Sequence, residues 1–370
     1  APIVKEALKL SVTGKQKIVA EAPCKILVLT TYPAHKSRNV GDSMISQSAL
    51  DLLAARKPDF KSFTLFREEK LDGYHDGSIA RIIAPGFSVS NDVYPCLYGL
   101  YTDIEKLPEF HPIGCSFQSP MASKGVFESY RYNEETLRFL NFISDRTGPI
   151  PCRDQMIVEL LDRHNVPAVY SGDLVLFDQN IVNTPFVAPS DIRSVVFTIQ
   201  HHEKYEFQSF KVLRLIQRLF PDSKRYVSFH SKVSRTSQRI AGFAESLGFE
   251  SLHLYGDSEN LKAYDNIDLH VGYRLHGHIS FLRRRKPSVL LVEDARSFGF
   301  SRTNGTRTGC FDALDQHTEL PSEDADEKAS EFLEIQLRSG FCGYQSVFDF
   351  IDETFNGFVS PFFDRLAKKC

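Results

Sequence analysis

The 370-residue chain lacks the signatures of several large enzyme classes. No G-x-x-x-x-G-K-[ST] occurs, which argues against a P-loop phosphotransferase, and no G-x-G-x-x-G follows the first apolar run, which argues against a dinucleotide-binding domain. There is no G-x-S-x-G elbow, and His201-His202-Glu203 does not make H-E-x-x-H. The one D-x-D, Asp324-Ala-Asp326, falls in an acidic stretch (319–331) rather than after a strand, so a metal-dependent nucleotide-sugar site is not expected there. The seven cysteines are odd in number and scattered, with no C-x-x-C, which predicts reduced thiols in a cytosolic compartment rather than a disulfide framework or zinc cluster. No apolar run approaches the roughly 20 residues that span a bilayer. Residues 1–23 lack the apolar core of a signal peptide, so a soluble cytoplasmic protein is expected. A net charge of -3 supplies no global field for nucleic acid.

What the chain does have is a repeated beat of apolar runs and amphipathic stretches. Lys25 to Thr31 reads as a strand buried on both faces, as in parallel sheets. A helix follows in which Met44, Ile45, Ala49, Leu50, Leu52 and Leu53 form the apolar stripe. Further strands are predicted at Ser62 to Phe66, Ala80 to Ala84, His111 to Gln118 and Ala168 to Tyr170, with helices at Glu134 to Ile143 and Gln155 to Arg163. After Asn183 to Ser190, a linker-like stretch with two prolines, the beat resumes. Strands are predicted at Ser194 to Gln200, Arg225 to Phe229, Ser251 to Tyr255, Ile267 to Val271 and, as the last, Ser288 to Glu293. Such alternation predicts an α/β chain: two Rossmann-like domains with parallel sheets facing across a cleft. The expected divisions are an arm over 1–22, domains over 23–188 and 189–345, and a closing helical segment over 346–370.

Polar groups gather where strands end and helices begin, the place where ligands bind in open α/β sheets. In the second half Arg274, His276 and His278 follow the run Ile267 to Val271, a cation for a carboxylate or phosphate beside imidazoles suited to proton transfer near neutrality. His230 and Lys232 follow another strand, and Arg296 another; His230 alone would more often be a surface or capping residue. In the first half Asn39, Gly41, Asp42 and Ser43 stand at a helix start. Asp42 or Ser43 fits an N-cap as well as it fits a group that binds sugar hydroxyls or takes a proton. Arg153 is expected to pair locally, and Asp154 to cap the next helix. His270, His276 and His278 could meet at a metal, but no carboxylate pattern supports one, so no metal is expected. The basic run Arg283 to Lys286 suits either a helix end or a membrane surface bearing a lipid-linked substrate, the helix end being preferred.

At these residues the chain resembles the polysaccharide pyruvyl transferase family, over roughly Ile26 to Phe300. The features that carry it are Asn39-Val-Gly-Asp-Ser-Met-Ile45, Cys152-Arg-Asp154 with Ser171-Gly-Asp173, His230 after a strand, and above all Gly272-Tyr-Arg-Leu-His276. Ala84-Pro-Gly86 and Arg283-Arg-Arg-Lys-Pro287 depart from that pattern. The resemblance implies a GT-B-like fold, phosphoenolpyruvate as donor, no cofactor, and a sugar of a glycan or lipid-linked oligosaccharide as acceptor, giving a pyruvate ketal. Under it Arg274 holds the donor's carboxylate or phosphate and His276 is general acid or phosphate partner. His230, Lys232 and Arg296 add donor contacts; Asp42 is a candidate base; Asn39, Gly41 and Ser43 complete the acceptor side. Two rivals stay open: a GT-B glycosyltransferase using a nucleotide sugar in polysaccharide biosynthesis, and a catalytically silent carbohydrate-binding subunit.

Overall fold

A computed structural model describes residues 26–32, 34, 37–58, 62–73 and 79–368. The expected arm over 1–22, and Lys25, lie outside the described residues.

The apolar run after Lys25 forms β1 (Ile26–Thr30), whose first four residues are buried. It pairs in parallel with β2 (Ser62–Phe66) on one side and β3 (Arg81–Pro85) on the other, and β4 (Glu109–Ile113) lies beyond, giving the order β2-β1-β3-β4. The predicted strand His111 to Gln118 is cut short at Ile113 because Gly114 takes a positive φ (60°) and turns the chain. Past that turn the Cys115 amide donates to the Pro151 carbonyl (2.8 Å), which hands the sheet on to β5 (Ile150–Cys152) and β6 (Ala168–Tyr170).

The second sheet is built from β7 (Ser194–Thr198), β8 (Lys224–Phe229), β9 (Phe249–His253), β10 (Leu269–Gly272), β11 (Ser288–Val292) and β12 (Cys310–Asp312). All its pairings are parallel, in the order β9-β8-β7-β10-β11-β12. Renumbered within the domain this is 3-2-1-4-5-6, the doubly wound order of Rossmann domains. The expectation that the strand after Pro287 is the last is corrected by β12, which follows a helix at Ala295–Arg302. Cys-Phe-Asp is a short run that ends on a charge and so does not register as a strand, and Ser-Phe-Gly-Phe-Ser carries no clear helical period. The segment Glu259 to Tyr264 lies in a 3₁₀ turn over Ser258–Asn266.

The chain closes with helices Gln345–Thr354 and Ser360–Lys368, which return to the first sheet. Arg56 pairs with Asp364 at 2.8 Å, and Arg81 donates to the Leu366 carbonyl (3.1 Å).

The basic run is turned inward, which removes the ground for a membrane contact there. Arg283 donates to the Phe177 carbonyl (2.7 Å) and pairs with Asp178 (3.1 Å); Arg284 pairs with Asp265 (2.7 Å) and Arg285 with Asp352. Lys286 Nζ is held by the carbonyls of Tyr264, Asp265 and Ile267. Carbonyls at the ends of the 3₁₀ turns Leu174–Leu176 and Ser258–Asn266 take up the charges of Arg283 and Lys286. Among the described residues no helix is long and apolar enough to cross a membrane.

Arg283 also donates to Ser48 (3.1 Å) in the first helix, so it ties the second domain to the first. Arg283→Met is expected to lower the unfolding free energy by about 3 kcal/mol, because it strands Asp178 and two carbonyls in a part-buried site. Urea unfolding checks this, with the midpoint falling and the slope unchanged.

Candidate active site

In each sheet the strand order reverses beside the first strand, between β1 and β3 and between β7 and β10, and crevices form at such points. The two crevices abut. The Val40–Ala54 helix after β1 is capped by Asn39, whose Oδ1 accepts from the Gly41 amide (3.2 Å), and its first turn carries Asp42. The helix Leu275–Arg283 after β10 begins at Arg274. Gly41 packs so closely on His276 that a Cβ at position 41 would lie 2.2 Å from Nδ1. Backbone contacts lock the junction. Val40 N donates to the His230 carbonyl (3.0 Å), Lys232 N to Ser37 (3.0 Å), and Ser258 N to the Ser43 hydroxyl (3.2 Å).

Between the domains lies a cleft of about 400 Å³. The first domain contributes Thr31, Asn39, Asp42, Arg67, Ser116 and Arg153 to its walls, and the second His201, His202, His276, Asp294 and Arg296. Arg274 is half-buried and reaches this lining through His201: Nη1 lies 2.9 Å from His201 Nδ1, while Nε donates to the Ile199 carbonyl (2.8 Å). Because a guanidinium only donates, His201 Nδ1 accepts and its proton sits on Nε2. Burial, with Arg274 and Arg296, pushes the His201 ring down to about 4, so it stays neutral.

The floor concentrates charge. Arg153, 4% exposed, has Nη1 3.6 Å from Asp173 and Nε 3.9 Å from Asp154, and neither Nε nor Nη2 makes a hydrogen bond among the described residues. Asp173 Oδ2 is also 3.6 Å from His276 Nε2. Burial would raise Asp173, but His276 and Arg153 outweigh it and hold the carboxyl below its usual range. Asp154 has no such surplus of cations: burial, opposed by Arg153, pushes it up to about 7. Asp42 is raised by burial, against His276, Arg296 and Arg67, which makes it a stronger base than a solvated aspartate. Glu293, also buried, accepts from the His201 amide (2.8 Å) and the His202 amide (3.2 Å), and burial pushes it up to about 8 against Arg274.

Among the residues singled out from sequence, Asn39, Asp42, His276 and Arg296 share the cleft. Gly41 and Ser43 make the junction behind it. Arg296 is committed to Asp294, with Nε–Oδ2 at 2.9 Å and Nη2–Oδ2 at 2.5 Å, so its charge reaches a ligand already half-neutralised. His230 is buried off the lining, with Nε2 2.6 Å from the Tyr264 hydroxyl, and burial holds it well below its ordinary value. Lys232 is exposed and joins the junction through its backbone. The grouping of His276 with His278 is corrected: two positions apart on a helix, their side chains point about 200° from one another. His278 Nδ1 bonds to Ser288 (2.7 Å) in the core, as does His270 Nδ1 (2.8 Å), so the three histidines do not converge. Among the described residues no group of three or more His, Cys, Asp or Glu is placed to hold a metal.

Arg67, Ser116, His201, His202 and Glu293 were not singled out from sequence. The signal was present, since Arg67 directly follows β2, Ser116 closely follows β4, and His201 and Glu293 close β7 and β11. Arg153 was read as locally paired; it is, but on the cleft floor.

No protein-family model matches this chain, and no curated protein sequence does. Among solved structures it is similar to a putative UDP-N-acetylglucosamine 2-epimerase from Listeria monocytogenes (10% identity, TM-score 0.49, 91% of this chain and 97% of that one). It is similar also to the wall teichoic acid polymerase TagF (12%, 0.46, 94% and 88%). An accessory secretory protein structure from Streptococcus pneumoniae aligns at 12% identity and TM-score 0.39, over 78% of this chain and about half (54%) of that one. Likeness of this order carries nothing about the reaction, and the fold rests on the strand orders given above.

Two outcomes follow from the geometry. Gly41→Ala must push His276 aside, because the atoms it meets are the ring and its own Cβ; a loss of about 1–3 kcal/mol is expected, read as a lowered melting temperature with a changed His276 NMR resonance. Glu293, raised from the ordinary 4.5 to about 8, holds in the folded chain a proton that the unfolded chain releases. Stability therefore falls as pH rises from 4.5 to 8. Urea titrations at pH 5, 6.5 and 8 should show that fall in the native chain and a flatter profile in Glu293→Gln.

Proposed function

We propose that this chain transfers the enolpyruvyl carbons of phosphoenolpyruvate onto two hydroxyls of a glycan sugar, forming a pyruvate ketal and releasing phosphate. One observation carries the proposal: Arg274, with no carboxylate within ion-pair distance among the described residues, backs His201 on the second-domain wall of a small cleft, within electrostatic reach of the raised carboxylate of Asp42, which lines that cleft together with His276. A fixed cation for an anionic donor and a base for a hydroxyl are what such a transfer needs.

In the proposed reaction Arg274 binds the donor's carboxylate or phosphate, with Arg296 adding part of a charge. His276, whose charge is balanced by Asp173 3.6 Å away, delivers a proton to the enol methylene, and positive character develops at the neighbouring carbon. Asp42 takes the proton of the first attacking hydroxyl. Departure of phosphate regenerates the cationic carbon, and the second hydroxyl closes the ketal. Two hydroxyl protons are released; one is accounted for by the new methyl group and the other leaves with phosphate or solvent.

A nucleotide-sugar glycosyltransferase is the second reading, favoured by the Rossmann order of the second domain. Against it, a ribose is commonly held by a free carboxylate near a strand end. The two carboxylates there are taken, Glu293 by the His201 and His202 amides and Asp294 by Arg296 and Ser297.

Ligand-dependent melting separates the two. Phosphoenolpyruvate at 100 times its Kd should stabilise the chain by about 2.7 kcal/mol, UDP- and GDP-sugars should not, and Arg274→Met should abolish the shift. Asp42→Asn should keep the shift but slow product formation by about 10²–10⁴-fold. Stabilisation by a nucleotide sugar and not by phosphoenolpyruvate would assign the chain to the second reading.

A further inference from the structure

Four guanidiniums stand around the cleft, and they are not equally free. Arg153 faces Asp173 and Asp154, and Arg296 is clamped by Asp294. Arg274, in the second domain, and Arg67, in the first, have no carboxylate within ion-pair distance among the described residues. The donor, in the reading above, engages Arg274, which leaves Arg67 on the opposite wall without a task.

Arg67 is held in place as a binding group is. It directly follows β2, its amide donates to the Thr30 carbonyl (3.0 Å), and its carbonyl accepts from Gly99 (2.9 Å). The guanidinium lies 5.7 Å from the centre of the Tyr98 ring, which is wholly buried. Its Nε is shielded from solvent and, among the described residues, makes no well-formed hydrogen bond, although the buried Tyr98 hydroxyl lies close to the guanidinium. Glu68 beside it is exposed and itself engaged. Arg67 acts electrostatically on Asp42, the base of the same wall. A fork of donors fixed by its backbone and an aromatic ring, facing a cleft, loses little freedom on meeting an oxyanion.

We infer that the acceptor is an acidic sugar, and that Arg67 binds its phosphate or carboxylate so that a neighbouring hydroxyl meets Asp42. The inference rests on the reading that the Arg274 wall takes the donor. It adds a charge requirement to the acceptor: a neutral sugar leaves the Arg67 cation unanswered in a part-buried wall, and a sugar bearing a phosphate or carboxylate answers it.

The test titrates α-D-glucose 1-phosphate, methyl β-D-glucuronide and methyl α-D-glucoside calorimetrically into the full chain. The two acidic probes distinguish phosphate from carboxylate. At least one of them should bind about tenfold more tightly than the neutral glucoside. That preference should shrink to about twofold or less in Arg67→Met, return in part in Arg67→Lys, and persist in Arg274→Met. The lysine variant keeps the charge, so its partial recovery separates loss of a cation from loss of fold. No preference in the native chain overturns the inference, as does a preference that vanishes in Arg274→Met and survives in Arg67→Met. Phosphoenolpyruvate is titrated into the same variants. Should its affinity fall in Arg67→Met as far as that of the acidic sugar, Arg67 serves the donor and the inference is overturned. Failure of phosphoenolpyruvate to bind the native chain would remove the pyruvyl reading, while the sugar comparison still decides the role of Arg67.

Discussion

The contact between Gly41 and His276 fixes the rest of the molecule. A residue without a side chain at the second position of the first helix lets the start of that helix seat on the start of the helix after β10. Each helix start stands at the point where its own sheet reverses strand order. Seating them together merges two crevices, each of a kind that binds ligands in its own right, into one. The backbone bonds from Val40 to His230 and from Lys232 to Ser37 hold that alignment, as does the return of the last helix to Arg56 and Arg81. Asp42 and His276 belong to different domains and still line one space.

Electrostatics explains why the cleft needs so much support. Burying an ion costs several kcal/mol, offset only when partners are well placed. The floor meets this unevenly. Asp173 has His276 and Arg153 for partners and stays ionised, whereas Asp154 beside it is raised towards neutrality. Glu293 spends its oxygens on two backbone amides and so fixes the loop that presents His201 to Arg274. The outcome is a set of cations and, in Asp42, a raised carboxylate on the cleft wall, whose orientations are settled before substrate arrives, the condition under which electrostatic stabilisation of developing charge is most effective.

Much of this was legible in the chain. The runs that became β1, β7 and β11 carry enough consecutive apolar residues to stand out, and Arg274 and His276 closely follow the alternating run that became β10. What stayed hidden depended on short or irregular backbone. Gly114 cuts a strand that its composition would continue, and β12 is three residues long. Arg283 to Lys286 looked like a surface run, yet carbonyls far along the chain draw it inward; those partners have no sequence signature. His278 stands two residues from His276 in sequence, and helical geometry turns it to the core. Arg67 and His201 were within reach of the strand-end rule, and only a fold-level alignment of the two domains turns that rule into a single site.

The most direct measurement is a crystal structure of the chain soaked with phosphoenolpyruvate. The account predicts density in the cleft between the domains, with an anionic group of the donor within hydrogen-bond reach of the Arg274 guanidinium and the enol carbons between His276 and Asp42. Donor density on an outer surface, or an ordered donor in the cleft that leaves Arg274 uncontacted, would contradict it.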